Sequence, residues 1–260
     1  MPSKSEASVA LREHFMVCHI YVIMWGSNHT GRHLSRSEMG YTKTMLFRGM
    51  DFAQLLSRII ALLIAITIHE FAHAWMANRL GDRTATAQGR LSLNPLKHLD
   101  PIGTLMLFTA GFGWGRPVPV NPHNLKNGAR AGMAWTSLAG PVSNLITAAI
   151  FSLPFRFNLV PMLGGGGSVL PGVADILFTI ILYNIGLAAF NLIPVPPLDG
   201  FKVALGILPR GLAVRLLPLE QYGGILLLGL LALGWVLPID PLGMIMNPFF
   251  NLFLGLFLGI

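Results

Sequence analysis

Taken as apolar against polar positions, the chain is a series of long apolar runs separated by short polar stretches. The first run covers 52–80, and between Leu55 and Ile68 its only polar side chains are Ser57, Arg58 and Thr67. A helix needs roughly 20 apolar residues to cross a bilayer core, so this run predicts a spanning helix. Further runs predict helices over 129–155, 175–193, 223–237 and 242–258. The stretch 102–113 is apolar but, at about 12 residues, too short to cross a ~30 Å core. It predicts a re-entrant loop, and its irregular continuation GFGWGRPVPVNP at 111–122 needs protein or a water-filled cavity around it at membrane depth. The expected fold class is therefore all-α: a polytopic membrane helical bundle of about five spans plus a re-entrant loop.

Residues 1–50 differ from the rest, being polar and mixed in charge around one apolar run at 15–25. That run is too short to span and no small-residue cleavage site follows it, which argues against a signal peptide. The expected organisation is a poorly defined N-terminal extension over 1–50 and a single membrane-embedded domain over 51–260. Met45 and Met50 stand just before the first span, and either is a candidate translation start. Detection of Met1 in the intact native protein would end that expectation. His14, His19, His29 and His33 read as solvated side chains.

Composition sharpens the class. Of 260 residues, 53% are hydrophobic and only 11% charged, too few charges for a soluble domain of this size. The net charge of +7 raises nucleic acid as a partner, but the basic residues are scattered among short loops between apolar runs. That scatter fits the positive-inside rule, which puts the loops carrying Arg83, Arg90 and Lys97, and Lys202, Arg210 and Arg215, in the cytoplasm. A single cysteine, Cys18, excludes an internal disulfide and a cysteine-rich metal site.

The candidate chemistry lies at the far end of the first run, where His69, Glu70 and His73 form H-E-x-x-H. Four residues apart on a helix, the two imidazoles share one face, one turn apart, and can share a metal. Glu70 projects at a neighbouring angle, close enough to polarise a water held there. Arg79 marks the return to water, so at ~1.5 Å per residue the histidines lie on the order of 9 and 15 Å inside the membrane. Ionisable groups at that depth cost about 2.5–3.5 kcal/mol each, and satisfied core histidines would give no reason for three of them at metal spacing.

A hydrolytic zinc site keeps three protein ligands, so a third must come from elsewhere. Asp199 is best placed: it closes an apolar helix, follows three prolines and precedes Gly200, which lets the backbone turn. His98, Asp100 and His123 lie among polar residues outside the apolar runs and read as interface residues. Parity supports Asp199, since with 102–113 re-entrant it falls on the same side as His69 and His73.

HEFAH at 69–73, AGPVSN at 139–144 and NLIPVPPLDG at 191–200, in this order within apolar runs, resemble the site-2 protease family of intramembrane zinc metalloproteases. The resemblance covers roughly residues 52–210. It implies that His69, His73 and Asp199 bind zinc and that Glu70 is the general base for a zinc-activated water. It also suggests Asn144 and Asn191 as polar residues of the cleft, and a transmembrane protein or peptide in the lipid bilayer as substrate. The expected form is compact, without the PDZ or CBS domains of some members and without a clear span before the metal-binding helix. The expected location is the cell membrane, multi-pass, with the active site toward the cytoplasm. Two other functions remain open at this point: a membrane metal-ion transporter, and an inactive relative that holds membrane proteins without cutting them.

Overall fold

The computed structural model describes residues 52–103, 115–161, 170–236 and 241–259. The N-terminal extension, most of the expected re-entrant stretch and the turn at 237–240 lie outside them. Among the described residues the structure is all helical. α1 is Phe52–Arg79, α2 Ala129–Arg156, α3 Val173–Asn191, α4 Asp199–Ile207, α5 Arg210–Leu216, α6 Gly223–Val236 and α7 Pro241–Leu258.

Each boundary has a local cause. Arg79 in the last turn of α1 complements the negative end of the helix dipole. Past it, Gly81 adopts φ +107°, a conformation that favours glycine. Its amide donates to Asn78 O and that of Asp82 to Ala77 O, the paired bonds of a Schellman C-cap. At the start of α3, Asp175 Oδ2 accepts the Gly172 amide at 3.1 Å, where a carboxylate suits the positive helix end. Pro194, Pro196 and Pro197 keep the chain after Asn191 from continuing as helix.

Five helical segments are long and apolar enough to cross a membrane: Phe52–Arg79, Ala129–Arg156, Val173–Asn191, Arg210–Leu233 and Pro241–Leu258. The protein is a multi-pass membrane protein. The fourth segment begins earlier than the expected 223, because α5 runs into α6 through a 3-10 stretch, Leu217–Tyr222. Pro218 does not interrupt it, sitting in the first turn where no amide is needed.

Small side chains let α1 approach its neighbours closely, as expected where lipid offers no hydrophobic drive for helices to associate. Ala61, Leu62, Ala65 and Ile66 of α1 pack on Ile180, Tyr183 and Leu187 of α3. A second cluster joins Ala148 of α2, Ile181, Ile185 and Phe190 of α3, Leu227 of α6, and Met246 and Phe250 of α7. Outward-facing Ile146, Ile150, Leu228 and Leu252 are exposed to what would be lipid.

The polar segment after α1 folds back on the bundle. Leu99 and Gly115 form an isolated antiparallel bridge, and the Arg116 amide donates to His98 O at 2.7 Å. The two flanks of the expected re-entrant stretch therefore lie side by side. α2 consequently starts at the end where α1 stops, and α3 returns there, delivering α4 beside the histidines.

Candidate metal centre

His69 and His73 lie one turn apart on the buried face of α1, 2% and 8% exposed. Asp199 opens α4. The sequence had suggested a carboxylate closing a helix, but α3 stops at Asn191 and a new helix begins at Asp199. Its Oδ2 is 3.1 Å from both His69 Nε2 and His73 Nε2, which are 2.9 Å from each other. Among the described residues these are the three metal-capable side chains whose ligand atoms converge, all within 4.8 Å.

The other nitrogens decide what these atoms offer. His73 Nδ1 donates to the Thr136 carbonyl at 2.7 Å, an acceptor that cannot donate back. His69 Nδ1 donates to Asn144 Oδ1, also at 2.7 Å. With Nδ1 protonated, each neutral imidazole turns the lone pair of Nε2 inward. Two such nitrogens and a carboxylate oxygen then face one another at 2.9–3.1 Å, a donor set suited to hold a cation. Zinc bonds of about 2.0–2.2 Å in a tetrahedron set ligand atoms roughly 3.3 Å apart, and the donor set here is that of a zinc hydrolase. The residues fit the ion.

The wall of α2 is shaped to this cluster. A Cβ on Gly140 would lie 2.5 Å from His73 Cε1 and Nε2 and 2.6 Å from His69 Cε1. α2 is continuous through Pro141, and Gly140 is required for space. Pro141 has no N–H for the Ser137 carbonyl, so the helix ladder is open beside Thr136. Gly200, expected to let the backbone turn, is corrected. It lies within α4, and a Cβ there would meet Leu192 O at 2.3 Å and Ile193 O at 2.5 Å.

Glu70, 7% exposed, accepts the Val118 amide on Oε2 at 3.1 Å. Val118 lies between Pro117 and Pro119, so its N–H is the one main-chain donor across 117–119. Buried Arg90 holds the same segment through the carbonyls of Lys97, Arg116 and Pro117. Burial pushes the Arg90 guanidinium down from its ordinary value, opposed by the charge of Glu70. Asp82 fixes the far end of the segment, accepting Asn121 N at 2.7 Å, Asn124 Nδ2 at 2.9 Å and both donors of Thr84. Burial works to raise its pKa, but these bonds outweigh it and hold the carboxyl below its ordinary value.

The remaining candidates fall apart from this cluster. Asn191 is fully buried at the end of α3, its amide donating to Leu187 O. His98, expected at the interface, is instead fully buried and donates from Nε2 to Ser92 O at 2.7 Å. Asp100 accepts the Gly103 amide, and His123 is exposed. Sequence reasoning missed Asn184, which is fully buried and accepts from Asn144. A lone asparagine at mid-depth in an apolar run was the available signal, because such a group seeks a partner.

Comparison with known proteins places this geometry. The chain is 44% identical over 189 residues to a Bacillus subtilis protein named "Putative zinc metalloprotease YwhC", covering 71% of this chain and 81% of that one. It is 31% identical over 172 residues to "Putative zinc metalloprotease Rip2" of Mycobacterium tuberculosis, covering 64% of this chain and 62% of that one. The match thus spans a little over three fifths of Rip2. A shorter match, 44% over 50 residues, links it to "Putative zinc metalloprotease spr0242" of Streptococcus pneumoniae. No family model and no solved structure matches the chain. On its identity to YwhC over four fifths of that protein, the chain belongs to the same site-2 protease-like family of zinc metalloproteases.

Proposed function

We propose that this metalloprotease works inside the membrane, hydrolysing peptide bonds within or near the transmembrane segments of other membrane proteins. His69, His73 and Asp199 hold the zinc, and Glu70 is the general base. The observation that carries the reading is the convergence of three metal-capable side chains from two separate parts of an apolar bundle, with Glu70 next along the same helix.

Zinc, when bound, supplies a Lewis acid that polarises a carbonyl and makes water a better nucleophile near neutral pH. Glu70 takes a proton from the attacking water and delivers it to the nitrogen of the leaving amine. The Val118 amide on Oε2 sets the direction of the Glu70 carboxylate. Asn144 and Asn191 contribute as polar residues supporting the cleft.

A substrate helix hides its carbonyls in its own hydrogen bonds and must unwind before attack. The non-helical segment 116–121 is suited to hold the unwound chain as an added strand. Both main-chain polar groups of Val120 lack a hydrogen-bond partner among the described residues. The basic residues of the neighbouring loops support a cytoplasmic orientation for this end of the bundle and the site with it.

The test is Glu70→Gln in the purified protein, offered a panel of single-span membrane peptides in liposomes. The variant is expected to retain zinc at the wild-type ratio and to lose cleavage. Cleavage at the wild-type rate would overturn the proposal.

A further inference from the structure

We infer that Asn184 is a positioning residue for the metal centre, acting on His69 through Asn144. This rests on the reading of His69 as a zinc ligand.

Asn184 and Asn144 are both fully buried, on α3 and α2, and neither can turn to water. Asn184 Nδ2 donates to the Ile180 carbonyl at 2.8 Å, which commits its amide nitrogen to the backbone and points Oδ1 at Asn144. Asn144 Nδ2 donates to that Oδ1 at 2.8 Å and to the Ala65 carbonyl at 3.0 Å. Both amide protons of Asn144 are then used, so its oxygen must face His69. An acceptor there obliges His69 Nδ1 to carry the proton and leaves the Nε2 lone pair free for the ion.

The chain of bonds is tied to the main-chain carbonyls of Ile180 and Ala65, which have one polarity only. It therefore specifies one tautomer of His69. Ala65 lies one turn before His69, so Asn144 also grips the turn of α1 that carries the ligand. Without Asn184, one of the two carbonyl oxygens that select the orientation of Asn144 is lost, and α3 no longer braces the relay. Hydrogen-bond partners behind metal ligands commonly govern affinity by 10–100-fold.

The experiment measures zinc affinity of the purified full chain by competition with a chromophoric chelator, using zinc alone as probe. Asn184→Leu is expected to bind zinc about tenfold more weakly than wild type. Asn184→Asp, whose neutral form presents the same acceptor and one donor, is expected to recover most of the loss. In an Asn144→Leu background, Asn184→Leu is expected to cost nothing further, because the relay is already cut. A purely packing role would give equal losses in both backgrounds, and that result would overturn the inference. Wild-type affinity in Asn184→Leu, with His69→Ala still losing zinc, would overturn it while leaving the ligand assignment intact. Undiminished affinity in His69→Ala would remove the ligand assignment itself, and this inference with it.

Discussion

Gly140 lies against the His73 ring so closely that a single added methyl carbon would come within 2.5 Å of its Cε1 and Nε2. Both imidazoles are anchored at Nδ1, so neither can yield without breaking a bond to Thr136 or Asn144. Gly140→Ala is therefore expected to weaken zinc binding by roughly 10–100-fold while leaving helix content unchanged. Chelator competition beside far-UV circular dichroism checks it.

How much of this was legible in the sequence follows from which interactions are local. The two histidines sit four residues apart in one helical stretch, so their common face was fixed by helical spacing alone, with Glu70 at a neighbouring angle. Asp199 came through parity and depth, since an aspartate beside prolines at the end of an apolar run has few other uses. The rotation of α3 about its axis was not written in its composition. Val173–Asn191 is apolar nearly all round, and nothing marked Asn184 as facing α2. Gly200 looked like a turning point, and Gly140 carried no mark of its role, because glycine permits both bending and close approach. Only the neighbouring rings and carbonyls distinguish the two. The reach of Asp82 across 39 residues to Asn121 was likewise invisible to any local pattern.

Arg130 connects the start of α2 to the end of α4. Its Nε donates to Leu205 O at 2.6 Å, and Nη2 to Gly206 O at 3.0 Å and to Leu208 O. These bonds cap the helix whose first residue is Asp199. Arg130→Gln is expected to destabilise the protein by about 1.5–3 kcal/mol and to lower zinc affinity as α4 loosens. Arg130→Lys should recover little, because an ammonium lacks the planar fork that serves several carbonyls at once. Thermal unfolding in detergent, with and without zinc, measures both effects.

Asp82 gives the protein an acid limit. Its carboxyl titrates below its ordinary value of 3.8 in the folded state. A depressed folded value contributes stability that is fully present above the unfolded value and disappears as pH falls through the folded one. The contribution is thus expected intact above about pH 5 and lost progressively below about pH 4. Asp82→Asn sets an amide against the Asn121 N–H and should cost about 1–3 kcal/mol at neutral pH. Unfolding midpoints from pH 3 to 7 should show the gap between the two proteins shrinking at the acid end.

A substitution at Val120 tests the proposed substrate holding apart from metal holding. Val120→Pro removes its amide and is expected to reduce cleavage of membrane peptides at least several-fold, with zinc content unchanged. Cleavage assays beside zinc analysis read the two independently. Unchanged cleavage would exclude strand addition at 116–121.

The proposed zinc ion joins α1 to the start of α4 through His69, His73 and Asp199. Zinc content and affinity of the purified wild type, His69→Ala and Asp199→Ala test this bridge most directly. One tightly held ion per wild-type chain is expected, with loss of tight binding in each variant. One ion held with undiminished affinity in Asp199→Ala would contradict it.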